Sequence, residues 1–244
     1  MSVRLILFLC VSIIGFRQAH AQNPFPQLKA LYLSITDCTN TPDSVVVYYD
    51  TSISDSLNID LRKLPDSHPL YTRYGPDIEE ILVIKTQLNK ADNQEYYVVF
   101  TPGLSCDPGF YFMNLETKEI MGRLTGTKLY ITGNGKLYTS GYINAPFDVK
   151  RKYLLDGGAL KEEVPEFYDV SLKTKTLAPI KLYKTRKLET EIAYLPAGYN
   201  IEVVLAAPPL EYFNGYYLIK TKFGLLGWAK IGTGEVLNLY WRGD

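Results

Sequence analysis

The chain has 244 residues, 46% of them hydrophobic, and its 26 basic and 26 acidic side chains leave a formal net charge of zero. That balance argues against a dedicated nucleic-acid binder, which carries a basic excess, and gives no pull toward anionic membranes. Twenty Tyr and ten Phe suit half-buried strand surfaces, where a ring packs and a hydroxyl stays wet.

The first 21 residues read as an export signal. Arg4 supplies a charged start, residues 5–16 an apolar run, and Ala19-His20-Ala21 a small-x-small cleavage site. Cleavage near Ala21 places the mature chain in the periplasm or outside the cell. The apolar run is shorter than the ~20 residues a bilayer-spanning helix needs, so no transmembrane anchor is expected. About 220 residues remain, enough for two small domains or one larger all-β unit.

Export removes Cys10 and leaves Cys38 and Cys106. In an oxidising compartment an even pair is most simply a disulfide, and closing so long a loop stabilises by ~4 kcal/mol on chain-entropy grounds. The alternative is a nucleophilic thiol at Cys106, which needs a base; His68 is the one histidine left after cleavage.

Taken in order, residues 28–36 and 44–50 are β-branched and aromatic runs that read as strands, the first with a turn or two of helix as its alternative. Residues 51–74 are polar and contain Pro65 and Pro69, which suggests a long connection or a short helix. Residues 78–88 and 95–101 flank a polar turn as a hairpin. The continuous centre Ile81-Leu82-Val83-Ile84 predicts a strand covered on both faces. A meander follows over residues 110–143, in which Asn134-Gly135 predicts a type I′ turn with positive φ at both residues. The β pattern runs on to residue 173, with residues 174–179 as a linker. Beyond them, residues 180–183, 191–195, 199–205, 216–221 and 227–231 give five short strands, the number a small barrel requires. The fold expected is therefore all-β: residues 22–178 form an antiparallel β-rich domain, propeller-like or an open meander, and residues 179–244 a small barrel.

The last quarter of the chain resembles the bacterial SH3 domain family. Leu182-Tyr183 stands where that family opens its first strand, Leu195-Pro196-Ala197-Gly198 matches its leucine-to-glycine turn, and Ile201-Glu202-Val203-Val204-Leu205 the strand after it. Gly215-Tyr216-Tyr217-Leu218-Ile219 matches its aromatic pair and core residue, and Gly227-Trp228-Ala229 its glycine-aromatic-small step. The chain departs from the pattern in lacking the Asn-Val-Arg opening and in the wide apolar connection over residues 206–214. The resemblance implies a binding module for a peptide, a cell-wall fragment or an envelope partner protein.

Strand alternation puts Tyr217 and Ile219 on a core face with Val203 and Leu205, and turns Tyr216 and Leu218 outward. Tyr183, Tyr194, Tyr212, Phe213 and Trp228 fall at strand ends or in loops, where with Tyr216 they can form an exposed groove for an extended segment. Their structural alternative is to close the barrel ends or pack against the first domain.

Catalytic readings rest on little. Wall peptidases that accompany such modules place their Cys before their His, the reverse of His68 and Cys106. Asp77, Glu79 and Glu80 form the densest acidic cluster, which serves hydrolysis only if held at glycosidase distances and otherwise solvates a strand start. One His and two Cys are too few for a zinc set, so no metal or cofactor is expected. Lys181, Lys184, Arg186 and Lys187 make a local basic patch, and Arg242-Gly243-Asp244 matches an adhesion tripeptide. A non-catalytic exported binding protein is the leading function, with an envelope hydrolase and a structural protein whose barrel is fused rigidly to the first domain as alternatives.

Overall fold

The computed structural model describes residues 23–34, 44–75, 78–102, 107–142, 145–210, 214–232, 234–236 and 239. The chain first lays down β1 (Lys29–Ser34), β2 (Ser44–Tyr49) and β3 (Ser54–Asp60), then a 3-10 turn (Leu61–Lys63) and the short helix α1 (Pro69–Tyr74). It continues with β4 (Glu80–Gln87), β5 (Glu95–Thr101), β6 (Gly109–Asn114), β7 (Ile120–Thr125), β8 (Lys128–Ile131), β9 (Lys136–Gly141), β10 (Val149–Asp156) and β11 (Ala159–Glu162). The C-terminal part holds β12 (Tyr168–Lys175), β13 (Ile180–Tyr183), β14 (Glu191–Leu195), β15 (Asn200–Ala206), β16 (Asn214–Thr221) and β17 (Leu226–Gly232). The protein is all-β, as its sequence leads one to expect, and within the run 28–36 residues 29–34 form a strand and not a helix. Among the described residues no helix is long and apolar enough to cross a membrane.

The strands form three sheets. β3 to β7 pair in chain order as an antiparallel meander, while the first sheet has the order β1-β2-β8-β9-β10-β11. These two sheets pack face to face. Their shared core takes Val45, Val47, Tyr49, Leu129, Ile131 and Tyr153 from one side and Ile84, Tyr96, Val98, Phe110, Phe112 and Leu124 from the other. Alternation along each strand supplies this, since every second side chain turns inward. β4 is covered on both faces at Val83 and Ile84: Ile84 enters the sandwich core, while Val83 packs outward with Leu61 and Leu70 beneath the 3-10 turn and α1, and Leu82 of the same run stays 37% exposed.

The β8–β9 turn differs from its expected form. Positive φ falls on Gly133 (70°) and Gly135 (78°), not on Asn134. Asn134 is held extended by a bridge to Asn89, flanked by hydrogen bonds from Lys90 N to Gly133 O and from Gly135 N to Leu88 O. A contact from a distant loop overrides the local turn preference. The two-residue turn with both φ positive lies instead at Gly157-Gly158, 58° and 81°, between β10 and β11.

The C-terminal strands form one six-stranded sheet, β12-β15-β16-β17-β13-β14, with β12 and β14 at its edges. The small barrel expected here is not closed, because no described residues pair those two edges. β12 starts at Tyr168, well before residue 179, and hydrogen-bonds along β15. Residues 174–179, read as a linker, belong to this sheet: Thr174 and Lys175 end β12, and buried Thr176 donates its hydroxyl to Pro196 O at 2.7 Å. The sheet's inner face buries Leu182, Val203, Tyr217, Ile219, Ala229 and Ile231, and Ala145, Phe147 and Val149 from the N-terminal part complete the same core. A bulge between Val203 and Leu205 reverses the alternation there. Leu205 thus faces outward opposite Leu218, and Ala206 takes the core position that strict alternation assigns to Leu205.

Candidate functional site

Cross-strand pairing gathers four of the six aromatic residues predicted to bind. Tyr183 on β13 faces Trp228 on β17, Trp228 faces Leu218 on β16, and Leu218 faces Leu205 on β15. Directly opposed residues share a face, so these side chains form one row across the outer side of the C-terminal sheet. Tyr216 lies one step along, opposite Lys230, whose ammonium stands 5.6 Å from the ring centre. Tyr194 sits on edge strand β14 opposite Lys181 and is 58% exposed. Tyr212 and Phe213 lie outside the described residues, as do Cys38, Cys106, Asp77 and the Arg242-Gly243-Asp244 tail.

The row is half-buried. Phe167, just before β12, packs on Trp228 with ring centres 5.5 Å apart. The aromatic groove expected for an extended segment is thus partly filled by the protein's own Phe167.

Of the residues considered for hydrolysis, His68 and Glu79 are engaged elsewhere. His68 caps α1, its Nδ1 accepting from Leu70 N at 3.3 Å, and burial followed by nearby Lys118 holds its pKa below the usual imidazole value. Glu79 pairs with Arg62 at 3.1 Å on an exposed surface, and Glu80 is exposed at the start of β4. Lys181 is paired with Glu191 at 2.8 Å.

A deeper site lies on the outer face of the first sheet, where sequence reading placed none. The parallel pairing of β2 with β8 sets Tyr48 beside Tyr130, and the β8–β9 and β9–β10 pairs continue the row to Tyr138 and Lys152. The next row reads Tyr32, Val46, Lys128, Ser140 and Lys150. Tyr48 and Tyr130 are stacked, with centroids 4.7 Å apart and planes 6° from parallel.

Phe25 leans over this surface from the N-terminal turn, 5.6 Å from Tyr130 and 5.2 Å from Tyr138. The turn is tied by Phe25 N donating to Asn23 Oδ1 (2.9 Å) and Leu28 N donating to Phe25 O (3.0 Å). Glu163 and Pro165, in the connection from β11 to β12, complete a cleft of about 520 Å³. That volume falls in the range of small-molecule sites, as does the mix of aromatic walls with a few polar groups.

The charges in the cleft are unevenly satisfied. Lys152 binds both oxygens of Glu163 at 2.8 and 2.7 Å, which fixes that carboxylate as a charged pair. Lys150 reaches Asp169 at only 3.6 Å, with both groups more than half exposed. Lys128 makes no ion pair with any described residue. Asp148 Oδ1 is buried with no hydrogen-bond partner among the described residues. Burial, then the neighbouring Tyr48, pushes the Tyr130 hydroxyl's pKa upward against a hydrogen bond with Ser140 that lowers it, and Asp148 adds to the rise, so this phenol stays protonated at neutral pH.

Compared with known proteins, the chain matches no family model, no curated protein sequence and no solved structure. The cleft therefore has to be read from its own chemistry. It offers ring faces, lysine cations and an acceptor in need of a donor, a set suited to holding a ligand. The sequence signal that could have found it is the alternation Lys128, Tyr130 and Tyr138, Ser140 on successive strands. What hid it was the parallel β2–β8 pairing and the turn that brings in Phe25.

Proposed function

We propose that this is an exported, non-catalytic binding protein that takes its ligand in the cleft lined by Phe25, Tyr130, Tyr138, Lys128, Lys150 and Glu163. The observation that carries the reading is the concave site itself: aromatic walls, Lys128 with no ion pair among the described residues, and the Asp148 carboxylate, whose buried Oδ1 has no hydrogen-bond partner among them. A buried polar atom without a partner costs about 1–3 kcal/mol, and a ligand hydroxyl or N–H removes that cost. The SH3-like strands supply a second face, with Tyr183, Tyr216 and Trp228 available to a peptide, wall fragment or partner protein once Phe167 yields.

The test is heteronuclear NMR on the full chain, titrated with 4-hydroxybenzoate, which carries a ring, an anion and a donor, and with soluble peptidoglycan fragments. Saturable shifts at Phe25, Tyr130 and Tyr138 support the reading. Shifts confined to Tyr183, Tyr216 and Trp228 move the site to the C-terminal sheet, and a spectrum that neither probe moves sinks the proposal.

One observation favours a structural role for the C-terminal sheet alongside binding. Its core is completed by Ala145, Phe147 and Val149, which suits a rigid fusion to the first sandwich. Export further implies that Cys38 and Cys106 are joined. Titration of the denatured, secreted chain that finds two free thiols overturns that pairing.

A further inference from the structure

We propose that the occupant of the Phe25 cleft is a carboxylated saccharide. The inference rests on reading the cleft as the ligand site and goes beyond it by naming the ligand's chemistry. Four features of the cleft each restrict what can fill it.

The first is the ring geometry. Phe25 packs on buried Tyr130 at 57° and on half-buried Tyr138 at 39°, so the two half-buried rings, Phe25 and Tyr138, present tilted surfaces to the cleft. Tilted faces suit a pyranose, whose C–H groups point in several directions and carry the slight positive charge that the negative face of an aromatic ring attracts. Tyr48, stacked behind Tyr130, keeps that ring from turning away.

The second is the pair of lysines. Lys128 and Lys150 flank Ser140 in one cross-strand row, which places their stems about 10 Å apart across two strand spacings. Lys128 has no acidic partner among the described residues, and the Lys150 contact to Asp169 is long and exposed. A carboxylate entering above Ser140 meets a cation on either side.

The third is Asp148. Its side chain lines the cleft and its buried Oδ1 has no hydrogen-bond partner among the described residues, so sulfate, which has no donor, suits the lysines and leaves this acceptor unpaired. A ligand must carry a donor as well as an anion, and a sugar hydroxyl beside a ring carboxylate supplies both.

The fourth is the backbone. The cleft lies on the face of the first sheet, where β2, β8, β9 and β10 are hydrogen-bonded on both sides. No strand edge is free there to accept an extended peptide by β-addition, which sets an acidic peptide behind an acidic sugar.

The experiment is calorimetric and NMR titration of the full-length protein with trigalacturonate, with neutral maltotriose and with hexaglutamate. The expected result is saturable binding of trigalacturonate with shifts at Phe25, Tyr130, Tyr138 and Ser140. Lys128→Gln should weaken it roughly tenfold, the loss of one charge-assisted contact, and flatten its salt dependence. Circular dichroism of the variant confirms that the fold is kept. Equal affinity for maltotriose overturns the requirement for an anion, and binding of hexaglutamate alone overturns the saccharide. If none of the three moves the cleft resonances while 4-hydroxybenzoate does, the saccharide is wrong and the cleft stands as a binding site. If 4-hydroxybenzoate fails too, both fall.

Discussion

The ring of Phe25 lies over that of Tyr138, centroids 5.2 Å apart and planes inclined by 39°, so a residue near the start of the described chain forms a wall of a cleft built by β8, β9 and β10. Phe25 is half-buried and belongs to no strand. Replacing it with Ala should leave the protein folded, at a cost of about 1–2 kcal/mol, below that of a fully buried ring. Binding of 4-hydroxybenzoate should fall by about tenfold or more as the wall is removed. Urea unfolding together with the NMR titration checks both. A variant that fails to fold would make Phe25 a core residue and weaken the case for a cleft.

Gly227 explains why the glycine-aromatic-small step carries a glycine. A Cβ built there would stand 2.8 Å from Leu182 Cβ and 3.0 Å from Ile192 Cδ1, because β17 is drawn tightly against the β13–β14 hairpin. Gly227→Ala should destabilise by about 1–3 kcal/mol through overpacking, measured as a lower urea midpoint with an unchanged slope. An unaffected midpoint would mean that β13 and β14 have freedom to move aside.

The C-terminal sheet should not fold when cut at residue 179. Such a fragment loses β12 and with it Tyr168, and it also loses Phe147 and Val149, three buried members of one core. We expect a collapsed, poorly dispersed NMR spectrum from residues 179–244. In the intact protein, Val149→Ala should cost about 1–3 kcal/mol and lower a single unfolding transition. Two separate transitions, with only one of them shifted, would show that the C-terminal sheet unfolds independently.

Alkaline stability should depend on Tyr168. Its hydroxyl donates to Glu162 Oε1 at 2.8 Å, and burial first, then that hydrogen bond, pushes its pKa up to about 12. A free tyrosine titrates near ~10, so the folded state favours the protonated phenol. That contribution is whole below pH ~10 and is lost as the pH rises toward 12. Tyr74, whose buried hydroxyl donates to Phe100 O at 3.1 Å, is likewise pushed up to about 12, chiefly by burial. Tyr168→Phe should cost about 0.5–1.5 kcal/mol at neutral pH and make the fall in stability above pH ~10 shallower. Urea titrations at neutral and alkaline pH measure it; an unchanged alkaline slope would show that Tyr168 does not govern that limb.

Sequence alone determined what short-range physics controls. Alternation and β-branched runs specified strands, the unbroken Ile81–Ile84 run specified a strand covered on both faces at Val83 and Ile84, and Tyr217 and Ile219 fell on the core face with Tyr216 and Leu218 outward. Each depends only on a residue and its near neighbours. Tertiary structure decided the rest. The Asn89 bridge turned Asn134 from a tight turn to an extended one, a bulge moved Leu205 out of the core, and β12 joined the C-terminal sheet across what reads locally as a linker. The cleft belongs to the same class. Tyr48, Tyr130 and Phe25 are far apart in the chain and meet only because β2 pairs in parallel with β8 and the N-terminal turn folds back, and no local pattern of residues encodes a pairing over that distance.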